Sequence, residues 1–193
     1  MPNYEVHYLS VSDADAIIIR YENSGDQYVV LIDAGNVSDS DKIKNYIWNH
    51  WKTYTIDLAI CTHPDSDHKG GFFGLLNDRD VIINEFWLNT PEDVIKEDEY
   101  NRLYPKRNRL SHCRECYDLA VSNKCNVYGA YCGKIHSHIP ISVVGPSLDF
   151  YHPLAIEILK NNKRRKDEDN TIYNDIGYFS SVQAKSSIDD EPD

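Results

Sequence analysis

Apolar residues fall in short blocks along this chain, and the spacing within each block predicts an element. Tyr4 to Val11 alternates enough to be a strand. Asp13-Ala14-Asp15 makes a tight connection to Ala16 to Tyr21 (AIIIRY), whose nearly continuous apolar run predicts a second strand buried on both faces. Asn23-Ser24-Gly25-Asp26 has the residues of a hairpin turn, and Tyr28 to Ile32 (YVVLI) follows as a third strand. Ser38 or Ser40 can cap a helix that runs to about Trp51, with Ile43, Tyr46, Ile47 and His50 as its buried stripe. Trp48 and Trp51 read as packing residues. Ile56 to Cys61 predicts a buried strand. Phe72 to Leu76 begins a helix that stops near Asn77-Asp78, and Val81 to Leu88 (VIINEFWL) is another strand. Beyond Leu88 the pattern predicts a short helix over Glu92 to Tyr104 and a second over Leu110 to Ser122. Strands over Asn126 to Tyr131 and Ile139 to Val144 and a short helix over Tyr151 to Leu159 complete the series. Lys160 to Asp169 is a charge run expected in a solvated loop, and residues 181–193 form a polar acidic tail, so the predicted domain is 1–180.

One stretch carries chemistry. Thr62-His63-Pro64-Asp65-Ser66-Asp67-His68-Lys69-Gly70-Gly71 places two histidines and two carboxylates within six residues, directly after a strand. Read as an extended loop, it lets His63, Asp65 and Asp67 converge while His68 turns aside. Imidazole with carboxylate suits Zn, Mn or Fe. A polar turn with a helix cap would explain one Asp and one His, but not four ligand types in six residues at a strand end. Asp33, at the end of the third strand beside Ala34-Gly35, suits an active-site rim and a turn Asp equally well.

Composition narrows the partners. The net charge of -11 argues against a general nucleic-acid surface, which would be basic. It is compatible with a local, metal-neutralised site for a phosphoester. No apolar run approaches the ~20 residues of a membrane helix. The five cysteines are odd in number and irregularly spaced, and no secretion signal is seen, so reduced thiols in a cytoplasmic protein are expected.

Three pieces in order, LSVSDADAIIIRY, YVVLIDAGN and IDLAICTHPDSDHKGGFFGLL, resemble the metallo-β-lactamase superfamily. Within it they look most like the soluble hydrolase domain of the bacterial competence DNA-uptake channel family and its stand-alone relatives. The resemblance reaches about Leu88 and continues weakly, with Ile141-Ser142-Val143-Val144-Gly145-Pro146-Ser147 as a late echo. It implies an α/β fold, an αββα sandwich of two similar halves, and metal-dependent hydrolysis of a phosphoester in a nucleic acid or nucleotide. It implies that His63 and Asp65 hold a first metal and Asp67 and His68 a second. A metal with an open position lowers the pKa of bound water to roughly 7, and two ions ~4 Å apart clamp a phosphoester. Asp67 would take the proton from that water if the second metal is absent. The family pattern is His-x-His-x-Asp-His; here Asp65 replaces the second histidine. That harder oxygen moves the preference from Zn towards Mn, Fe or Mg. The Gly-Asp after a late strand and the late histidine of the second half are not found. A longer parent protein, a shortened member, or a binding or regulatory module without activity of its own is therefore expected as the alternative.

Cys113-x-x-Cys116, Cys125 and Cys132 suggest a zinc ribbon with His112, His136 and His138, but the Cys-x-x-Cys does not repeat and falls within a predicted helix. Ordinary buried thiols are the better reading. His136 and His138 lie before the Ile139 strand, the wrong end for the shared site; His152, past Val144, is better placed as a third histidine.

Overall fold

The computed structural model describes residues 2–11, 13–96 and 112–157. A six-stranded sheet in sequential order organises them: β1 (Asn3–Tyr8), β2 (Ile17–Asn23), β3 (Asp26–Ile32), β4 (Thr55–Cys61), β5 (Ile82–Leu88) and β6 (Asn126–Tyr128). The first three strands form an antiparallel meander. Ser24 (φ 54°) and Gly25 (φ 95°) close the β2–β3 hairpin between the paired Asn23 and Asp26. Two left-handed residues match the strand twist, which is why Ser-Gly sits there. The register from β3 to β6 is parallel, so each step needs a crossover. A 3-10 turn (Val37–Asp39) leads into α1 (Ser40–Trp51), and α2 (Ser66–Asn77) joins β4 to β5. A short α3 (Pro91–Val94) and α4 (His112–Ser122) precede β6.

The main core lies on one face of the sheet. Ile43 and Ile47 of α1, Phe72, Leu75 and Leu76 of α2, and Cys116 and Ala120 of α4 pack there against Ile18, Leu31, Ala59, Phe86 and Leu88. The apolar runs of β3, β4 and β5 follow from this, because parallel strands are buried on both sides. β2 departs from that expectation in its first half, where Ile17 and Ile19 are only partly covered, while the adjacent Arg20 and Tyr21 are both buried. His50, predicted in the buried stripe of α1, is exposed, and Trp48 is 39% exposed, stacked on Tyr54. Among the described residues no helix is long and apolar enough to cross a membrane.

The opposite face carries Tyr21, Val30, Leu58 and Trp87, covered by Ala130 and Ile139. The predicted Ile139 to Val144 strand is not part of the sheet; one isolated bridge, Ile135 to Ser142, is all that forms. The segment instead folds on its own neighbours, through Gly133 N–H to Val143 O, Val143 N–H to Lys134 O and Cys132 N–H to Pro146 O. Pro140 lies within it and donates no N–H, and Pro146 follows two residues beyond its end, which disqualifies it as a central strand. The predicted Asn126 to Tyr131 strand ends at Tyr128. Residues 148–157 are helical, so the helix expected over Tyr151 to Leu159 forms but begins three residues earlier. The charge run, the acidic tail, the domain's predicted end at residue 180 and most of the predicted Glu92 to Tyr104 helix lie outside the described residues.

His136 anchors this loop. Its Nδ1 accepts hydrogen bonds from His138 N–H (3.1 Å) and Ile139 N–H (3.0 Å). Its Nε2 stands 3.8 Å from Glu85, and its side chain is only 7% exposed. Burial pushes the imidazole below its ordinary 6.5, aided by the neighbouring His138 and opposed by Glu85. The unfolded chain therefore binds this proton at a higher pH than the fold does, and stability falls as pH drops below 6.5. His136→Asn keeps an acceptor without a titrating ring. Urea unfolding of this variant between pH 6.5 and about 5 is expected to show a smaller loss of stability than the parent.

Candidate metal centre

The centre forms where β3 and β4 end. Asp33 continues β3 by donating its N–H to Ile60 O (2.8 Å), and its φ of 55° turns the side chain over the end of β4. That left-handed backbone is one Asp tolerates better than most residues. Its buried carboxylate is fully engaged: Thr62 N–H donates to Oδ1 (2.8 Å), and Thr62 Oγ1–H (2.7 Å) and His68 Nδ1–H (2.9 Å) donate to Oδ2. Three hydrogen bonds on one carboxylate hold the strained residue in place.

The same network fixes both imidazoles. Thr62 Oγ1 spends its proton on Asp33, so it accepts from His63 Nδ1–H at 3.0 Å. His68 also points its Nδ1–H at Asp33. Each ring thereby keeps its Nε2 lone pair for another partner. The two rings lie 3.7 Å apart between centroids, tilted by 47°. Asp33, His63 and His68 each bring one ligand atom within 4.8 Å of the others.

Carboxylates ring the exposed side. His63 Nε2 is 3.6 Å from Asp65 Oδ2. His68 Nε2 is 3.5 Å from Asp67 Oδ2 and 3.7 Å from Asp15 Oδ2. Burial would lower the pKa of His68, but the hydrogen bond to Asp33 and the charges of Asp33, Asp67 and Asp15 outweigh it and hold the imidazole above its ordinary value. A field that retains a proton there also favours a cation.

The geometry of the motif differs from an extended loop. Asp65 occupies the N-cap of α2, with φ -69° and ψ 151°, and the helix begins at Ser66, six residues before Phe72. Asp67 and His68 therefore sit in a first helical turn, and the ~100° step per residue sets them side by side. His68 does not turn aside; it is the most enclosed of the four, 12% exposed against 41% for Asp67 and 72% for Asp65. Asp65 stands beside His63 and Asp67 beside His68, but the residues whose ligand atoms all lie within 4.8 Å of one another are Asp33, His63 and His68.

Two glycines let α2 reach this position. A Cβ on Gly71 would lie 1.9 Å from Ala34 O, and one on Gly70 2.7 Å from Val37 N. The backbones touch instead: Ala34 N–H donates to His68 O (2.8 Å), Gly71 N–H to Gly35 O (3.1 Å) and Asp15 N–H to Asp67 O (3.3 Å).

Sequence reasoning missed Thr62 and Asp15 as members of the site. Thr62 had a usable signal, a short hydroxyl immediately before a candidate ligand. Asp15 had a signal in the resemblance, which sets Asp13-Ala14-Asp15-Ala16 at a family turn ending in Gly-Asp-Ala. Asp33 resolves in favour of the site. Among the described residues, His136, His138 and His152 do not join the group. Cys116 and Cys125 are buried, and burial pushes the Cys125 thiol up to about 11, so it behaves as a packing residue.

Comparison with known proteins agrees. Residues 10–105 match the family model described as the metallo-beta-lactamase superfamily. No curated protein matches the chain. The six-stranded sheet with its helices is consistent with that fold, and Asp15, Asp33, His63 and His68 all lie inside the matched segment. On fold, site and sequence match together, residues 10–105 form a metallo-beta-lactamase superfamily domain.

Proposed function

We propose that this protein is a metal-dependent hydrolase acting on a phosphoester of a nucleotide or nucleic acid. One observation carries the reading: two histidines with Nδ1 tied inward and Nε2 turned outward, amid Asp15, Asp33, Asp65 and Asp67. Two donors each about 2.1 Å from a tetrahedral ion stand about 3.4 Å apart. The 3.6 Å between His63 and Asp65 and the 3.5 Å between His68 and Asp67 suit donors that share an ion better than donors that bond each other. His63 and Asp65 would hold one divalent ion, and Asp67 and His68 a second. Such ions supply Lewis acidity towards phosphoryl oxygens and acidify a water. Asp33 and Thr62 orient the rings, and Asp67, 41% exposed, would take the proton from a water on the open side when the second ion is absent. The carboxylate-rich donor set favours Mn, Fe or Mg beside Zn.

A metal-binding module without turnover is favoured by a different observation: the donors that meet all lie between Asp15 and His68, and no later described residue joins them. Elemental analysis with hydrolysis of bis-p-nitrophenyl phosphate in Mn2+ or Zn2+ separates the readings. Metal with turnover supports the hydrolase, and metal without turnover supports the module. His63→Ala is expected to remove bound metal and to cut turnover by about 100-fold or more. Unchanged metal content and rate in this variant would show that the metal lies elsewhere.

A further inference from the structure

β1 forms the outer edge of the sheet. β1 pairs with β2 on one side, and among the described residues no strand pairs with its other side. Its side chains sort by face. His7 points to the helices, where its Nδ1 shares a 2.7 Å hydrogen bond with Tyr46 OH and its ring meets Trp51 edge-on at 5.2 Å. Glu5 lies on the same face, 3.3 Å from His7 Nε2. By alternation Tyr4, Val6 and Tyr8 occupy the opposite face. They are 71%, 43% and 79% exposed.

A bare edge strand of this kind is normally blunted by lysine, proline or a bulge. Asn3-Tyr4-Glu5-Val6-His7-Tyr8 has no lysine or proline, and it pairs with β2 in an unbroken register from Asn3 to Tyr8. Its order is also symmetric about Val6. In an antiparallel pairing of two copies with Val6 on the two-fold axis, Tyr4 meets Tyr8 and Glu5 meets His7, and each pair occurs twice. Aromatic pairs and opposite charges are what stabilise directly opposed positions. Moving the axis to Glu5 or to His7 sets Glu5 against Glu5 or His7 against His7, which weakens those alternatives. An isologous contact requires one surface complementary to itself, and this strand satisfies that with both charge and shape.

We infer that two copies of this chain join edge to edge through β1, with Val6 on the axis, extending one sheet through both protomers. The pairing is independent of the metal centre, which lies at the other end of the β3–β4 pair from the hairpin and uses no β1 residue. Sedimentation velocity over a concentration series is expected to show a dimer of 22.3 kDa chains. Val6→Lys places two ammonium groups at the axis and is expected to raise the dissociation constant roughly tenfold or more, with an unchanged circular dichroism spectrum. Val6→Cys is expected to cross-link on mild oxidation above the background of the native thiols, whereas Ile82→Cys, 55% exposed on β5, is not. A wild-type chain that stays monomeric at every concentration overturns the inference. So does a dimer that Val6→Lys leaves intact, or cross-linking as efficient at Ile82→Cys as at Val6→Cys.

Discussion

Asp33→Asn is expected to weaken metal binding by about 10- to 100-fold while leaving the fold intact. The replacement has nearly the same shape, so packing changes little. Its amide, however, offers one acceptor where the carboxylate offers two. Thr62 N–H, Thr62 Oγ1–H and His68 Nδ1–H all donate to Asp33. The backbone N–H of Thr62 cannot yield, so the asparagine oxygen stays at the Oδ1 position and the Nδ2 hydrogens face both His68 Nδ1–H and Thr62 Oγ1–H, donor against donor. The cheapest escape is for His68 to move its proton to Nε2, which removes the lone pair a metal needs. Calorimetric titration with Zn2+ or Mn2+ measures the loss. Nitrogen-15 chemical shifts of the two imidazoles in the metal-free variant identify its cause, because only a positioning role predicts a changed tautomer. Wild-type tautomers together with wild-type affinity would show that Asp33 does not orient the rings.

The second large effect is structural. Gly71→Ala puts a methyl group 1.9 Å from the carbonyl oxygen of Ala34, a backbone atom that cannot rotate away. Relief requires α2 to lift from the Asp33–Val37 segment, breaking the bonds from Ala34 N–H to His68 O and from Gly71 N–H to Gly35 O. A cost of about 3 kcal/mol or more in urea unfolding is expected. Gly74→Ala is the comparison. Its new methyl would lie 2.3 Å from Ser40 Oγ and 2.5 Å from Ser40 Cβ, so α1 must shift slightly, but the nearest backbone atom is Val37 O at 3.7 Å and a smaller loss is expected there. Equal midpoints for the two variants would mean that the close approach of α2 to Ala34 is not needed for stability.

These glycines also explain why part of the site was hard to read. Gly-Gly lowers helix propensity, and Asp-Ser-Asp-His before it competes for backbone hydrogen bonds, so Asp65 to Gly71 reads locally as a loop. Docking on Ala34 and Gly35 overrides that preference, and helix begins at Ser66. The strands were legible because parallel burial writes long apolar runs, as in Ile56 to Cys61, and the Ser24-Gly25 turn because a tight hairpin needs left-handed residues. The presence of ligands in His63 to His68 was legible from residue type alone. Their arrangement was not, because it depends on Asp33 and Asp15, which lie 35 and 53 positions before His68 (68 - 33 and 68 - 15). The Ile139 to Val144 segment failed for the opposite reason: its apolar pattern outweighed Pro140, although a missing donor decides whether a strand can join a sheet.

One carboxylate serves both imidazoles, and this divides the centre into a fixed part and an adjustable part. Asp33, Thr62 and the Nδ1 edges of His63 and His68 are locked together, so neither ring can be retuned without disturbing the other. Asp65 and Asp15 stand in solvent, 72% and 70% exposed, and no described hydrogen bond ties either side chain to the scaffold. If the centre holds an ion as proposed, its selectivity could drift through these two carboxylates at little cost to the fold. Under the proposed reading, aspartate at position 65, where the family pattern has histidine, would alter specificity without touching the locked part.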